Sequence, residues 1–283
     1  MKSIVYLATV FCMSVLPLKA QDSMIQNPSD AVIDTSETIL DNKQSSLVKS
    51  DANVITKTQA DSAYIKADYE DAINKYENIL KNQGESAAIY YNLGNSYYKN
   101  KDIAHSILNY ERAHLLEPGD DDIIFNLEMA RNQTVDKVEK INKFFLADWI
   151  IATRNLLNAD GWARGAVIFF LLTLVLLLFY LFGQKMTYRK IGFVGACICV
   201  LMMIITNIFA YQQKSILQNR HSAIIMTPSV TVKSTPDSGG TDLFIVHEGH
   251  KVFIKDLTMK EWYEIQLVDG SIGWVPKDVV EII

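Results

Sequence analysis

The residue types best suited to chemistry in this 283-residue chain are a histidine pair and a run of carboxylates. His247 and His250 are three positions apart and could bind zinc. However, their segment predicts a turn without a third ligand nearby, whereas protein zinc sites use three or four ligands. The three aspartates at 120–122 could bind a cation. Because they directly precede a helical pattern, we favour a role in stabilising a helix N-terminus.

No catalytic grouping accompanies these residues in the sequence. The chain has no Ser/His/Asp pattern and no glycine-rich phosphate loop. The other histidines, His105, His114 and His221, lie at ordinary repeat or surface positions. We therefore expect neither enzymatic activity nor a cofactor nor a metal. The formal net charge is −5, without the basic patch that nucleic-acid binding requires.

The spacing of large and small residues predicts a helical repeat. Eight anchor positions resemble those of the 34-residue tetratricopeptide repeat: Tyr90, Leu93, Gly94, Tyr97, Ser106, Tyr110, Ala113 and Pro118. Gly94 and Ser106 would let two helices approach closely, and Pro118 would end the second helix. The resemblance implies binding of peptides or proteins.

A single repeat cannot bury its own face, so we expect neighbouring repeats within 59–140. Ala72 and Tyr76 lie one period before the Ser106 and Tyr110 anchors. The helix before them, near 59–66, fits only with a one-residue deletion. One period after the matched first helix, 123–127 predicts a terminal helix.

The first helices of such repeats line a groove in which partners bind. On that geometry the groove residues are Tyr91, Asn95, Tyr98, Lys99 and Asn126. Their amide and ammonium groups could bind a partner's carboxylate or backbone. The alternative is that the two tyrosines pack on adjacent helices.

Two uncharged apolar runs, 165–183 and 191–211, predict membrane-spanning helices, since each has the roughly twenty residues that cross a hydrocarbon core about 30 Å thick. The link 184–190 has three basic residues and no acidic residue. So short a link predicts a hairpin, and its positive charge favours the cytoplasmic side.

The N-terminal region predicts export. Residues 1–20 have the basic start, apolar run and small cleavage-site residue of a signal peptide, and the polar segment 21–58 predicts a disordered linker. Residues 141–164 alternate apolar and polar residues before the first span and predict an interfacial helix. The alternative is a last helix of the repeat domain. Both soluble domains are therefore expected in the periplasm.

The segment 223–283 changes to strand-like alternation with turn signals, and five short strands predict a small barrel. Its progression resembles a bacterial SH3 domain: Pro236, Glu248-Gly249, Trp262, Asp269-Gly270 and Gly273-Trp274-Val275. Trp262 and Trp274 are candidates for a ligand face. We favour the alternative that they are core and rim aromatics.

The order of these segments resembles the BatE-type proteins of the Bacteroides aerotolerance operon. The resemblance is carried by 90–95 (Tyr-Tyr-Asn-Leu-Gly-Asn), Asn126-Leu127 and Gly273-Trp274-Val275. It implies work in the cell envelope beside membrane proteins with von Willebrand factor A domains and a MoxR-type ATPase. It also implies a link to tolerance of oxygen or other stress, and it supplies no catalytic residues.

We therefore expect a multi-domain membrane protein with an all-α tetratricopeptide solenoid, a transmembrane helical hairpin and a small all-β SH3-like barrel. The expected function is a non-enzymatic scaffold of the bacterial inner membrane that binds envelope proteins through the repeats. The alternative function is a wall-binding receptor whose SH3 domain recognises peptidoglycan.

Overall fold

The computed structural model describes residues 55–137, 145–256 and 258–283. The predicted signal peptide and nearly all of the predicted linker lie outside these residues. The segment Ile55–Ile283 forms one compact unit. Within it, the described residues form a helical repeat domain, a pair of long apolar helices and an antiparallel sheet.

Five helices form the repeat domain: α1 (Lys57–Ile65), α2 (Tyr69–Gln83), α3 (Ala87–Lys99), α4 (Ile103–Leu116) and α5 (Asp121–Arg131). The period is a strict 34 residues. Ala67 and Lys101, one period apart, both have left-handed backbone conformations, with φ of 62° and 68°. Each is followed by an aspartate, Asp68 or Asp102, whose side chain accepts a hydrogen bond from a backbone N–H of the next helix. The predicted one-residue deletion is therefore wrong.

The small anchor residues of the repeat act as predicted. An ideal Cβ on Gly94 would lie 2.7 Å from the ring of Tyr110, so only glycine permits this approach. The hydroxyl of Ser106 donates to the carbonyl of Gly94 at 2.9 Å. These contacts hold α3 against α4. Asp120 accepts hydrogen bonds from the N–H groups of Asp122 and Ile123, so the predicted capping of α5 is confirmed.

Three further helices follow: α6 (Phe145–Asn155), α7 (Ala159–Phe182) and α8 (Met186–Gln218). Helices α7 and α8 are long and apolar enough to cross a membrane. An ideal Cβ on Gly192 would lie 2.8 Å from the backbone nitrogen of Tyr180, so the two helices pack closely. Their connection is residues 183–185 rather than 184–190, and α8 extends past the predicted end at 211. Arg189 and Lys190, which the prediction placed in the link, therefore belong to α8, because backbone hydrogen bonding in a helix does not require uncharged side chains.

Seven strands form the C-terminal sheet: β1 (Ser222–Ile225), β2 (Ser229–Lys233), β3 (Asp242–His247), β4 (Lys251–Asp256), β5 (Trp262–Gln266), β6 (Ile272–Pro276) and β7 (Val280–Ile282). All pairings are antiparallel, in the order β3-β2-β6-β5-β4-β1-β7. Val232, Val252, Ile265 and Val275 are completely buried at its core. The predicted hairpin turn at Gly270, where φ is 95°, joins β5 and β6.

The prediction of a closed barrel is wrong. The outermost strands, β3 and β7, do not pair with each other in the described sheet. Strand β1 lies between β4 and β7, and it packs on α4. There, Arg112 donates a hydrogen bond to the carbonyl of Ile282 at 2.7 Å. The edge strand β7 therefore contacts the repeat domain.

Candidate functional site

The candidate site is the surface shared by α1, α3 and α5, which we call the inner face. In α3 it comprises Tyr91, Asn95, Tyr98 and Lys99. The last three lie four, seven and eight positions after Tyr91, so all four residues share one side of the helix. The strict period adds the residues one repeat away, Lys57, Asp61, Tyr64 and Ile65 in α1, and Phe125, Met129, Asn132 and Gln133 in or just after α5. Asn126 lies beside Phe125.

Hydrogen bonds show that the predicted groove residues are neighbours. The amide of Asn126 donates to the hydroxyl of Tyr91 at 2.8 Å and to the side-chain oxygen of Asn95 at 3.1 Å. The same oxygen accepts a hydrogen bond from the hydroxyl of Tyr110 at 2.7 Å. Tyr110 is 1 % exposed. Asn95 and Asn126 thus bond to the protein itself and join three helices.

The preceding repeat has the same arrangement. The hydroxyl of Tyr76 donates to Asp61 at 2.6 Å, and the amide of Asn92 lies 3.4 Å from the same carboxylate oxygen. Tyr76, Asp61 and Asn92 are each one period before Tyr110, Asn95 and Asn126. Because the network recurs in both repeats, we infer that it holds successive helices in register.

The tyrosines of the predicted groove are half-buried. The rings of Tyr91 and Tyr110 are 6.0 Å apart, and the hydroxyl of Tyr98 hydrogen-bonds to Gln133. Both Tyr91 and Tyr98 also pack on the core between α4 and α5. The alternative that these two tyrosines pack on adjacent helices is therefore correct for the buried part of each ring. Lys99 is exposed at the end of α3.

Two residues that sequence reasoning missed are the most accessible apolar groups of the inner face. Phe125 is 68 % exposed and Ile65 is 81 % exposed. Phe125 is one period after Tyr91, and Ile65 is one period before Lys99. The signal that could have found them is the strict period, which the assumed deletion obscured in α1.

The opposite side of the repeat domain is covered by the sheet. The carboxylate of Glu111 in α4 has a side chain 2 % exposed and contacts both Arg131 and Lys251, the latter at 2.7 Å. Burial alone would raise the pKa of Glu111, but the two cations outweigh it and lower the pKa to about 2. Ile107 and Leu108 share a core with Ile224 of β1 and Ile283.

The histidine pair lies at this same junction. His247 Nδ1 is 2.8 Å from one oxygen of Asp136, and His250 Nδ1 is 3.8 Å from the other. His250 is buried, and its ring nitrogens have no hydrogen-bond partner among the described residues. Burial lowers the pKa of His250. Among the described residues, no group of three or more His, Cys, Asp or Glu side chains is arranged to bind a metal ion.

Trp262 and Trp274 lie on the same face of the sheet. Trp274 pairs with Glu264 and Trp262 pairs with Pro276 across β5 and β6, and residues two apart on a strand share a face. The buried core residues Ile265 and Val275 point the other way. Both tryptophans are half-exposed, which places them at the rim rather than inside the core.

Comparison with known proteins identifies one segment of this chain. Residues 87–120 match the tetratricopeptide repeat, and these residues form α3, α4 and the turn after them. None of the curated proteins matches the chain. The protein therefore contains a tetratricopeptide repeat, a class of module that generally binds other proteins.

Proposed function

We propose that this protein is a non-enzymatic, membrane-anchored scaffold that binds a protein partner through the inner face. The observation that supports this function is the asymmetry of the repeat domain. Its inner face presents Phe125, Ile65 and Lys99 to solvent, whereas the sheet packs on the outward side of α4. The inner face is thus the side on which the repeats remain accessible.

The chemistry of this face favours an extended peptide with apolar side chains. Phe125 in α5 and Ile65 in α1 offer apolar surface on either side of α3, and burial of such surface contributes about 25 cal/mol per Å². Between them, the half-buried Tyr91 and Tyr98 offer ring edges and hydroxyls. Lys99 favours a segment that also has a negative charge. The side-chain oxygen of Asn95 and the NH2 group of Asn126 already bond within the protein, so we expect the NH2 group of Asn95 and the oxygen of Asn126 to be the groups that bind a partner.

We further propose that the protein lies in a bacterial inner membrane with both soluble domains in the periplasm. The predicted signal peptide, the two apolar helices and the basic residues at their connection support this orientation. The resemblance to BatE-type proteins supports envelope partners with von Willebrand factor A domains and a role in stress tolerance. It also supports an SH3-like class for the C-terminal sheet.

The function is tested by purifying the tagged full-length chain from native membranes with its partners. Phe125→Ala should reduce recovery of the partner by about tenfold or more, as expected of an aromatic binding hot spot. Lys99→Ala should reduce it less. The matched control is Phe253→Ala, which removes a phenylalanine that is 40 % exposed on the sheet.

Unchanged recovery with Phe125→Ala would show that the partner does not bind at the inner face. An equal loss with Phe253→Ala would assign binding to the sheet instead. Asn95→Ala is unsuitable for this purpose, because it also removes the hydrogen bond that Tyr110 donates.

A further inference from the structure

Helix α6, just before α7, exposes an unusually apolar surface. The exposed fractions are 46 % for Leu146, 67 % for Trp149 and 46 % for Ile150, and Phe145 is 70 % exposed. All eleven residues of this helix are described, and none is buried. Burial among the described residues therefore does not account for these side chains.

Four of the exposed apolar residues occupy one side of the helix, whereas Ile151, which is 37 % exposed, lies outside that side. At about 100° per residue, the four lie within an arc of roughly 140°, with Thr153 inside it. Asp148 and Arg154 lie outside the arc. An amphipathic helix, with one mainly apolar side and one charged side, is typical of segments that lie in a membrane interface.

Hydrogen bonds fix the end of α6 to both long helices. The indole N–H of Trp162 in α7 donates to the carbonyl of Arg154 at 2.8 Å. The amide of Gln213 in α8 donates to the carbonyls of Arg154 and Leu157, at 3.1 and 3.3 Å. The end of α6 is therefore held at the level of Gln213.

That level corresponds to the edge of a bilayer. From Ile191 to Tyr211, α8 rises about 30 Å at roughly 1.5 Å per residue, which equals the thickness of a hydrocarbon core. Gln213 is then about 3 Å beyond the core, in the headgroup layer. Trp162 packs on Phe209 at 5.0 Å, and such aromatic residues favour the same layer.

We propose that α6 lies in the headgroup layer with Leu146, Trp149 and Ile150 directed toward the acyl chains. The ligand of this surface is a phospholipid interface, because Trp162 and Gln213 hold the end of α6 beside the two helices that could cross a membrane. The inference rests on the proposed membrane anchoring. As a consequence, the repeat domain is held at the membrane surface. Gly119, which follows α4, packs closely on Leu156, which follows α6: an ideal Cβ on Gly119 would lie 2.5 Å from the carbonyl oxygen of Leu156.

The test measures the depth of Trp149 in the full-length chain reconstituted into phosphatidylcholine vesicles with added phosphatidylglycerol. Trp162, Trp262 and Trp274 are replaced by Phe, so that only Trp149 fluoresces. Phospholipids brominated near the headgroup should quench it more strongly than phospholipids brominated near the chain end. A matched chain that retains only Trp262 should be quenched by neither.

A third chain, with Phe169→Trp as its only tryptophan, reports on α7 itself. Quenching of that tryptophan by deep bromines together with no lipid quenching of Trp149 would overturn the inference while leaving the membrane anchor intact. Lack of quenching at both sites would overturn the anchor as well. Protection of Trp149 from aqueous iodide without lipid quenching would assign the surface to a protein contact and contradict the proposal.

Discussion

At the scale of single residues, Asn95 holds the repeat together. It accepts hydrogen bonds from Tyr110 and Asn126. We predict that Asn95→Ala destabilises the protein by about 1–3 kcal/mol, because it leaves the buried hydroxyl of Tyr110 without an acceptor. Thermal unfolding of the detergent-solubilised full-length chain measures this loss.

Tyr110→Phe provides the control for that substitution. It removes the hydroxyl and leaves Asn95 bonded to Asn126, so it should cost less than Asn95→Ala. In the double variant, Asn95→Ala should cost less than it does alone, since no unpaired hydroxyl remains. Additive losses would show that the two side chains do not interact.

The buried ionisable groups at the junction of repeats and sheet predict sensitivity to acid. Burial lowers the pKa of His114 and His250 below 6.5, which disfavours the charged form of both side chains in the folded protein. Stability should therefore fall as the pH drops below 6.5, because the unfolded chain binds protons more readily. It should fall again below pH 4.5 as Glu111, with a pKa of about 2, is forced to protonate.

His105 works in the opposite direction and serves as the control. Its hydrogen bond with Asp102 raises its pKa, so its contribution to stability is fully present below pH 6.5 and is lost as the pH rises through its folded pKa. In unfolding measurements between pH 6.5 and 4.5, His250→Gln should reduce the acid loss of stability. His105→Gln should leave that loss unchanged, because the contribution of His105 is already fully present over this range. An acid loss unchanged by His250→Gln would contradict this assignment.

At the scale of elements, α3 and α4 approach each other closely at Gly94. The side chain of Gly94→Val would clash with the ring of Tyr110, since an ideal Cβ already lies 2.7 Å from it. We predict a loss of helical content and a lower unfolding temperature. Ala88→Val, at an exposed position of the same helix, is the control for the lower helix propensity of valine. Equal effects of the two substitutions, measured by circular dichroism, would contradict the packing role.

How far the sequence predicts these elements depends on how local each signal is. The anchors from Tyr90 to Pro118 are local and periodic, and α3 and α4 occur where they predict. The prediction of a closed barrel was wrong because strand order depends on contacts between residues far apart in sequence. One such contact is the hydrogen bond from Arg112 to Ile282 at the edge of β7. No local pattern shows that contact.

The candidate site was predictable to the same extent. Period arithmetic places Tyr91, Asn95 and Asn126 together, and the structure joins them by hydrogen bonds. It could not show that the oxygen of Asn95 is already bonded to Tyr110, because that depends on how closely α3 and α4 pack. Phe125 could have been predicted in the same way, because it is one period after Tyr91.

At the scale of the whole molecule, the proposed function depends on which side of the membrane each domain occupies. In a chain that lacks Cys197 and Cys199, we predict that a cysteine at Ser238 reacts with a membrane-impermeant thiol reagent after permeabilisation of the outer membrane. A cysteine at Gln184, between α7 and α8, should react only after lysis, because a hairpin places its connection on the opposite side. The reverse pattern would move both soluble domains to the cytoplasm.

The central claim is that a protein partner binds the inner face, and a photoreactive amino acid in place of Phe125 tests it most directly. Irradiated in intact cells, this full-length chain should form one defined cross-link to a second protein, and Lys99→Glu should weaken it. The same photoreactive group in place of Leu243, which is 48 % exposed on the sheet, should not form that cross-link. A cross-link from Leu243 but not from Phe125, or none from either, would contradict the account.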